Sequence, residues 1–256
     1  MCLLLFSYKT HPSHKLVLAA NRDEFFDRPT APAAFWDASP DLLSGRDLRA
    51  GGTWLGITGK GRIGAITNYR DPASIKKTAP SRGDIVTNFL LGRETPAEYT
   101  KALTQKADQY NGFNLIIGDR KHLYWFSNRG DGPRKLSPGL YGLSNRLLDT
   151  GWPKVTRGKE ALSHLLSERT IPSHEAFFRF LKDPMPASDE ELPDTGVGRE
   201  WERMLSPIFI SSPNYGTRSS TLLFVGMDER VTFVERTFHP GPGRPVTRKY
   251  KFQIEH

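Results

Sequence analysis

Cys2-Leu3-Leu4-Leu5-Phe6-Ser7-Tyr8, then Leu16-Val17-Leu18-Ala19-Ala20, then Asn21-Arg22-Asp23-Glu24: two short apolar runs are separated by the turn-like Thr10 to His14, and the second stops at four polar residues. Runs this short, with turn residues between them, read as two strands of an N-terminal hairpin. The second strand of a hairpin ends beside the start of the first. A guanidinium and two carboxylates are therefore expected where they can face Cys2.

Cys2 is the only cysteine, so no internal disulfide can form and no zinc site could use more than one thiolate. Its side chain is small enough for an aminopeptidase to remove Met1. An N-terminal cysteine would join a thiol nucleophile to a general base, its own α-amine, whose pKa of ~7.7–8.0 leaves a neutral fraction near pH 7. Arg22 beside the thiol would lower its pKa, and a carboxylate could hold the amine. The competing reading is a small hydrophobe on the buried face of the first strand.

Outward from the hairpin, strand-like runs recur at Thr53 to Thr58, Gly64 to Asn68, Asn114 to Gly118, Leu123 to Ser127 and Leu140 to Ser144. Ser81 with Asp84 has the spacing of a capping box, and Ile85, Val86, Phe89 and Leu90 share one face, so a helix is expected over 82–91. Pro96 opens a second helix through Ala107, Pro153 a third through Leu166, and Glu175 to Leu181 forms a fourth. Residues 183–200 carry six acids and three prolines with little apolar content, which reads as an exposed loop or lid. Sheet returns at Ile208 to Ser211, Ser219 to Met227, Val231 to Phe238 and Val246 to Ile254, with Asp228-Glu229 in a hairpin turn. Strands, helices and strands without regular alternation predict an α+β fold, in one domain over 1–256.

The chain has 256 residues, 37% of them apolar before its 23 glycines are counted, enough for a real core and too many for global disorder. Its net charge of +8 is scattered, with no basic helix, zinc finger or aromatic RNA-binding pair, so no specific nucleic-acid partner is expected. Nothing approaches the ~18 apolar residues of a membrane helix, and the first apolar run falls short of an export signal. A cytoplasmic protein is expected.

Gly59-Lys60-Gly61-Arg62-Ile63-Gly64 matches a dinucleotide fingerprint, but strand-like residues follow where the fingerprint needs a helix, so a glycine hairpin is expected instead. His11 and His14 read as exposed turn residues, without a third ligand for a metal. Serine-elbow, zinc-protease and phosphate-loop motifs are missing, and no cofactor is expected. Gly51-Gly52-Thr53-Trp54 reads as a tight turn that buries Trp54.

Cys2, Ala20-Asn21-Arg22-Asp23-Glu24-Phe25, Gly45-Arg46-Asp47, Ala50-Gly51-Gly52-Thr53-Trp54-Leu55-Gly56 and Thr217-Arg218-Ser219-Ser220-Thr221 together resemble the NRDE family, also named the transport and Golgi organisation family. That family is in turn similar to the cysteine N-terminal nucleophile hydrolases of the choloylglycine hydrolase and penicillin acylase type. The resemblance implies a four-layer αββα sandwich. It also implies Cys2 as nucleophile, Arg22 beside it, Asp23 as the acid that orients the amine, Asn68 and Asn145 as oxyanion-stabilising donors, and Arg218 as the late arginine. In that superfamily two residues separate the arginine from the aspartate; here they adjoin, which leaves open whether Asp23, Glu24 or neither is the partner acid.

The function expected is cleavage or transfer of an acyl group from a small non-peptide amide or thioester. The alternative is a non-catalytic binding or transport protein for an acidic hydrophobic ligand such as an acyl-CoA, a lipid or haem. Residues 69–82 bear Arg70, Lys76, Lys77 and Arg82 against Asp71, so a ligand with an anionic group is expected near Asn68.

Overall fold

The computed structural model describes residues 2–239 and 243–255. In chain order the strands and helices are β1 (Cys2–His11), β2 (His14–Phe25), β3 (Thr30–Trp36), β4 (Ser39–Asp47), β5 (Leu55–Thr58), β6 (Ile63–Asn68), α1 (Gly83–Leu91), α2 (Pro96–Thr104), β7 (Phe113–Gly118), β8 (Leu123–Ser127) and β9 (Arg134–Lys135). There follow β10 (Gly139–Leu143), α3 (Pro153–Leu165), α4 (His174–Leu181), α5 (Arg199–Leu205), β11 (Tyr215–Gly226), β12 (Arg230–Thr237) and β13 (Val246–Gln253). The chain divides into two compact units, one holding residues 1–27, 138–144 and 148–252, the other 28–137, 145–147 and 253–256.

The first unit is built on a six-stranded sheet of order β10-β1-β2-β11-β12-β13. Leu3 and Leu5, Val17 and Ala19, Leu222 and Phe224, and Val234 occupy one face and pack against Val155 and Leu162 of α3 and Phe177, Phe178 and Leu181 of α4. Phe177 meets Phe224 edge to face at 5.3 Å. The alternate residues Leu4, Phe6, Leu18, Leu223 and Phe233 are buried as well. That explains why β1 reads as an unbroken apolar run rather than an alternating one.

The second unit carries a seven-stranded sheet in simple chain order, β3 to β9. Ile85, Val86, Phe89 and Leu90 of α1 and Leu103 of α2 pack on Leu42, Ile66, Leu115, Ile117 and Phe126. Gly52 allows α1 to approach: a Cβ there would lie 2.6 Å from the Gly83 carbonyl carbon. The Gly59–Gly64 motif is the β5–β6 hairpin, with Gly61 at φ 77° and Gly64 inside a strand, so no helix follows to meet a pyrophosphate. Each unit thus pairs an antiparallel sheet with helices on one face, the α+β class expected and the layer pairs from which an αββα sandwich is made.

The expected helices all form, but not with every expected detail. Ser81 accepts from the Gly83 amide without making a capping box, because Arg82 is the N-cap. The capping box belongs to α2, where Thr95 and Glu98 satisfy each other's backbone amides. Ile208 to Ser211 is not a strand and makes only a bridge from Ser211 to Gly216. Residues 183–200 are mostly exposed and irregular, though α5 begins at Arg199 and the Asp189–Arg203 ion pair ties the segment to it.

His11 is not an exposed turn residue. It is 5% exposed, its Nε2 lies 3.2 Å from the Glu168 carbonyl, and Pro12-Ser13 alone make the turn. The register shift between Tyr8 and His11, with Lys9 at φ 53°, turns the end of β1 and lets this happen.

Candidate active site

β1 and β2 pair so that Cys2 stands directly opposite Arg22. Opposed residues of antiparallel strands project from the same face, so thiol and guanidinium share the face away from α3 and α4. Cys2 is partly exposed and Arg22 is 6% exposed. Glu24, two residues on and hence on the same face, places Oε2 3.8 Å from Arg22 Nη2.

Asn21 and Asp23 project from the opposite, helix-packed face. Asn21 is fully used there: Nδ2 donates to the Leu181 and Ile208 carbonyls at 2.8 Å, and its Oδ1 accepts from Ser220 Oγ at 2.6 Å. It pins the end of α4 to the sheet. Asp23 is 1% exposed and accepts from Thr217 Oγ1 at 2.7 Å. Burial raises its pKa; the charge of Lys154 and the Thr217 bond act against that rise. Lys154, 2% exposed in the first turn of α3, donates to the Leu205 carbonyl at 2.9 Å.

β11 supplies the rest through a bulge. Thr217 pairs with Asp23 but Ser219 pairs with Arg22, so Arg218 is an extra residue on this strand. In a regular strand Thr217 and Ser219, two residues apart, would share a face. With the bulge, Thr217 attends Asp23 on one side and Ser219 joins Arg22 and Cys2 on the other. Arg218 Nη1 donates to the carbonyls of Phe25 and Phe26, at 2.8 and 3.3 Å, and burial and the nearby Arg22 lower its pKa.

The Cys2 thiol is raised above its ordinary range, not lowered as the sequence suggested. Burial is the main cause and Asp23 and Glu24 add to it, while the charge of the amino terminus and, less strongly, that of Arg22 oppose it without prevailing. Desolvating an anion outweighs two cations here.

In the second unit Asn68, at the end of β6, and Asn145 meet each other: Asn145 Nδ2 donates to the Asn68 carbonyl at 2.8 Å, and the Asn145 carbonyl accepts from the Arg70 amide at 2.7 Å. Asn145 is fully buried. Of the basic segment 69–82, Arg70 is buried, Lys76 Nζ donates to the Asp108 carbonyl, and Arg82 Nη1 donates to the Gly112 carbonyl at 3.0 Å. These cations brace their own unit. Among the described residues, no cluster of His, Cys, Asp and Glu could hold a metal, and no helix is long and apolar enough to cross a membrane.

Lys154 was not anticipated, although there was a signal. A lysine one residue after the proline that opens a helix opposes the helix dipole, an expense that makes sense when a buried carboxylate answers it. The partnership of Thr217 with Asp23 was hidden because it depends on the bulge.

A mixed α+β protein with an antiparallel sheet in each unit, and with a cysteine–arginine pair at the start of its first hairpin, is thus defined. Its residues 1–240 match the family model described as Transport and Golgi organisation 2, and the chain belongs to that family. It is 35% identical over 276 residues to the Transport and Golgi organization protein 2 homolog of Bos taurus, covering all of both chains. It is 27% identical to Transport and Golgi organization protein 2 of Drosophila melanogaster, over 93% of this chain and 92% of that one. Among solved structures it is similar to a Caenorhabditis elegans N-acylethanolamine-hydrolyzing acid amidase ortholog, with TM-score 0.48 and 12% identity over 87% of this chain and 92% of that one.

Proposed function

We propose that this protein is an N-terminal cysteine hydrolase or acyltransferase acting on a small non-peptide amide or thioester once Met1 has been removed. The observation that carries the reading is the in-register pairing of a partly exposed Cys2 with the buried Arg22. Sγ would attack the carbonyl carbon while the thiol proton passes to the α-amine. The C–N or C–S bond then breaks, the amine returns that proton to the leaving group, and water or an acceptor releases the acyl group from sulfur. Asp23, fixed by Thr217, is the acid assigned to the amine, and Glu24 is the acid that keeps Arg22 in place.

A second reading has its own observation. Burial holds the thiol in its neutral form, which suits a non-catalytic carrier of an acidic hydrophobic ligand such as an acyl-CoA, a lipid or haem, in keeping with relatives named for transport and Golgi organisation.

Intact mass of untagged protein, followed by a panel of neutral N-acyl amides, acyl-CoA thioesters and haem with wild type and Cys2→Ala, separates the two. Loss of Met1 together with turnover abolished in Cys2→Ala supports the hydrolase. Retained methionine, with ligand binding that survives Cys2→Ala, supports the carrier.

A further inference from the structure

At the far end of the β1–β2 hairpin, about 30 Å from Cys2 along the strand, lies a cavity of 410 Å³ whose lining includes His14, Phe224, Met227, Asp228, Arg230 and Thr232. Phe224 belongs to the sheet face that packs on α3 and α4; Thr232 stands opposite it and His14 opposite Gly226, so floor and side wall share that face. A Cβ at Gly226 would run into Asp228 Oδ1. The missing side chain therefore gives the Asp228 carboxylate its place over the strand, beside His14. Met227, 55% exposed, forms the apolar part of the rim.

A chain of hydrogen bonds fixes which ring nitrogen His14 offers. A carbonyl can only accept, so the Glu168 carbonyl, 3.2 Å from His11 Nε2, places the His11 proton on that nitrogen. His11 Nδ1 is then an acceptor, and the Ser13 amide donates to it at 3.3 Å. Ser13 Oγ lies 3.1 Å from the same nitrogen and 2.8 Å from His14 Nδ1. One proton arrangement makes both contacts attractive: Oγ donates to His11 and accepts from His14 Nδ1–H. His14 Nε2 keeps its lone pair for a ligand, and burial favours this neutral form of the ring.

The polar lining thus offers one neutral acceptor, one carboxylate and one guanidinium. Asp228 Oδ2 lies 3.4 Å from Arg230 Nε, and the Arg230 side chain is 81% exposed, so the edge that carries its two amino groups is open to a ligand. A lone anion would be opposed by Asp228 and a lone cation by Arg230. A zwitterion answers both: an ammonium has three donors for His14 Nε2 and Asp228, and a carboxylate fits the guanidinium fork. An apolar side chain on the same molecule would cover Phe224, the Thr232 methyl and the adaptable Met227. We propose that this cavity binds a free α-amino acid with an apolar side chain, at a site separate from Cys2 and independent of its chemistry.

The test compares leucine with its two halves, 4-methylpentanoate and 3-methylbutylamine, on wild type, Asp228→Asn and Arg230→Gln. Calorimetry measures affinity, and the imidazole resonances of His14 report where the ligand sits. Leucine is expected to bind wild type about tenfold more tightly than either half, the effect of one charged hydrogen bond. Arg230→Gln should bring leucine down to the level of the amine, and Asp228→Asn to that of the carboxylate. Both side chains are exposed, so both ligand-free variants should keep the wild-type melting temperature, which separates lost binding from lost structure. The comparison on wild type needs no variant at all. Absence of saturable leucine binding, leucine binding no tighter than either half, or binding that leaves the His14 resonances unmoved overturns the proposal. So does a leucine affinity that both substitutions leave unchanged.

Discussion

Thr217 gives its hydroxyl proton to Asp23 Oδ1 at 2.7 Å while the same oxygen accepts the Ile210 amide at 3.0 Å. One threonine therefore serves one oxygen of a buried carboxylate and a backbone donor together. Thr217→Val should leave both without it and cost ~1–3 kcal/mol, whereas Thr217→Ser keeps the oxygen and should stay close to wild type. Denaturant midpoints for the two variants check this, and equal midpoints would remove the hydroxyl from the account.

Lys154 and Asp23 face the same interior, and the ammonium draws the carboxyl's pKa down against the burial that lifts it. Lys154→Met should destabilise by ~3–5 kcal/mol, the usual result of stranding one buried charge. Asp23→Asn combined with Lys154→Met should recover most of that. The pH dependence has a definite sign. With its folded pKa above the unfolded ~3.9, Asp23 favours folding below that value, and the favour fades as pH rises toward the folded pKa. Removing Lys154 should widen this window upward, visible as a steeper loss of stability with rising pH.

His14 and His174 flank Phe224, with ring centroids 6.0 and 5.5 Å away. Burial lowers both pKa values, with His11 adding to the effect on His14, and Lys249 and Lys251 on His174. Both are neutral in either state well above ~6.5, so their stabilising share is complete there and is lost as pH falls below it. Melting temperature should decline from neutral pH toward pH ~5, and His174→Phe should flatten the slope. Imidazole proton resonances that titrate at the ordinary value would contradict the burial argument.

Alkylation of Cys2 by iodoacetamide should show an inflection above the ordinary ~8.5, with no other thiol to confuse it. Glu24→Gln should move the inflection down and Arg22→Gln should move it up, following the signs of their charges. An Arg22→Gln protein that reacts at lower pH than wild type would mean that the guanidinium does not act on the sulfur.

The hairpin that joins Cys2 to Arg22 was legible because strand period and turn residues suffice to bring the end of β2 back to the start of β1. The same period of two implies that Arg22 and Asp23 project to opposite faces, so their adjacency in sequence separates them in space. β3 and β4 were not legible: Pro32, Pro40 and Gly45 interrupt them as turns would. The structure tolerates Pro32 because β3 is the sheet's edge and its register already shifts between Ala31 and Ala34. Asn68 and Asn145 could be named from the resemblance. Their bond to each other could not, since it links positions 77 residues apart.

Arg218 also decides where β11 can change its length. Deleting Arg218 would close the bulge and leave Thr217 opposite Asp23 and Ser219 opposite Arg22, with the guanidinium's bonds to the Phe25 and Phe26 carbonyls lost. Deleting one residue from the regular run that follows, Ser220 to Val225, would instead turn every side chain on one side of the cut to the other face. Through descent the strand should therefore gain or lose a residue at the bulge far more readily than anywhere along that run.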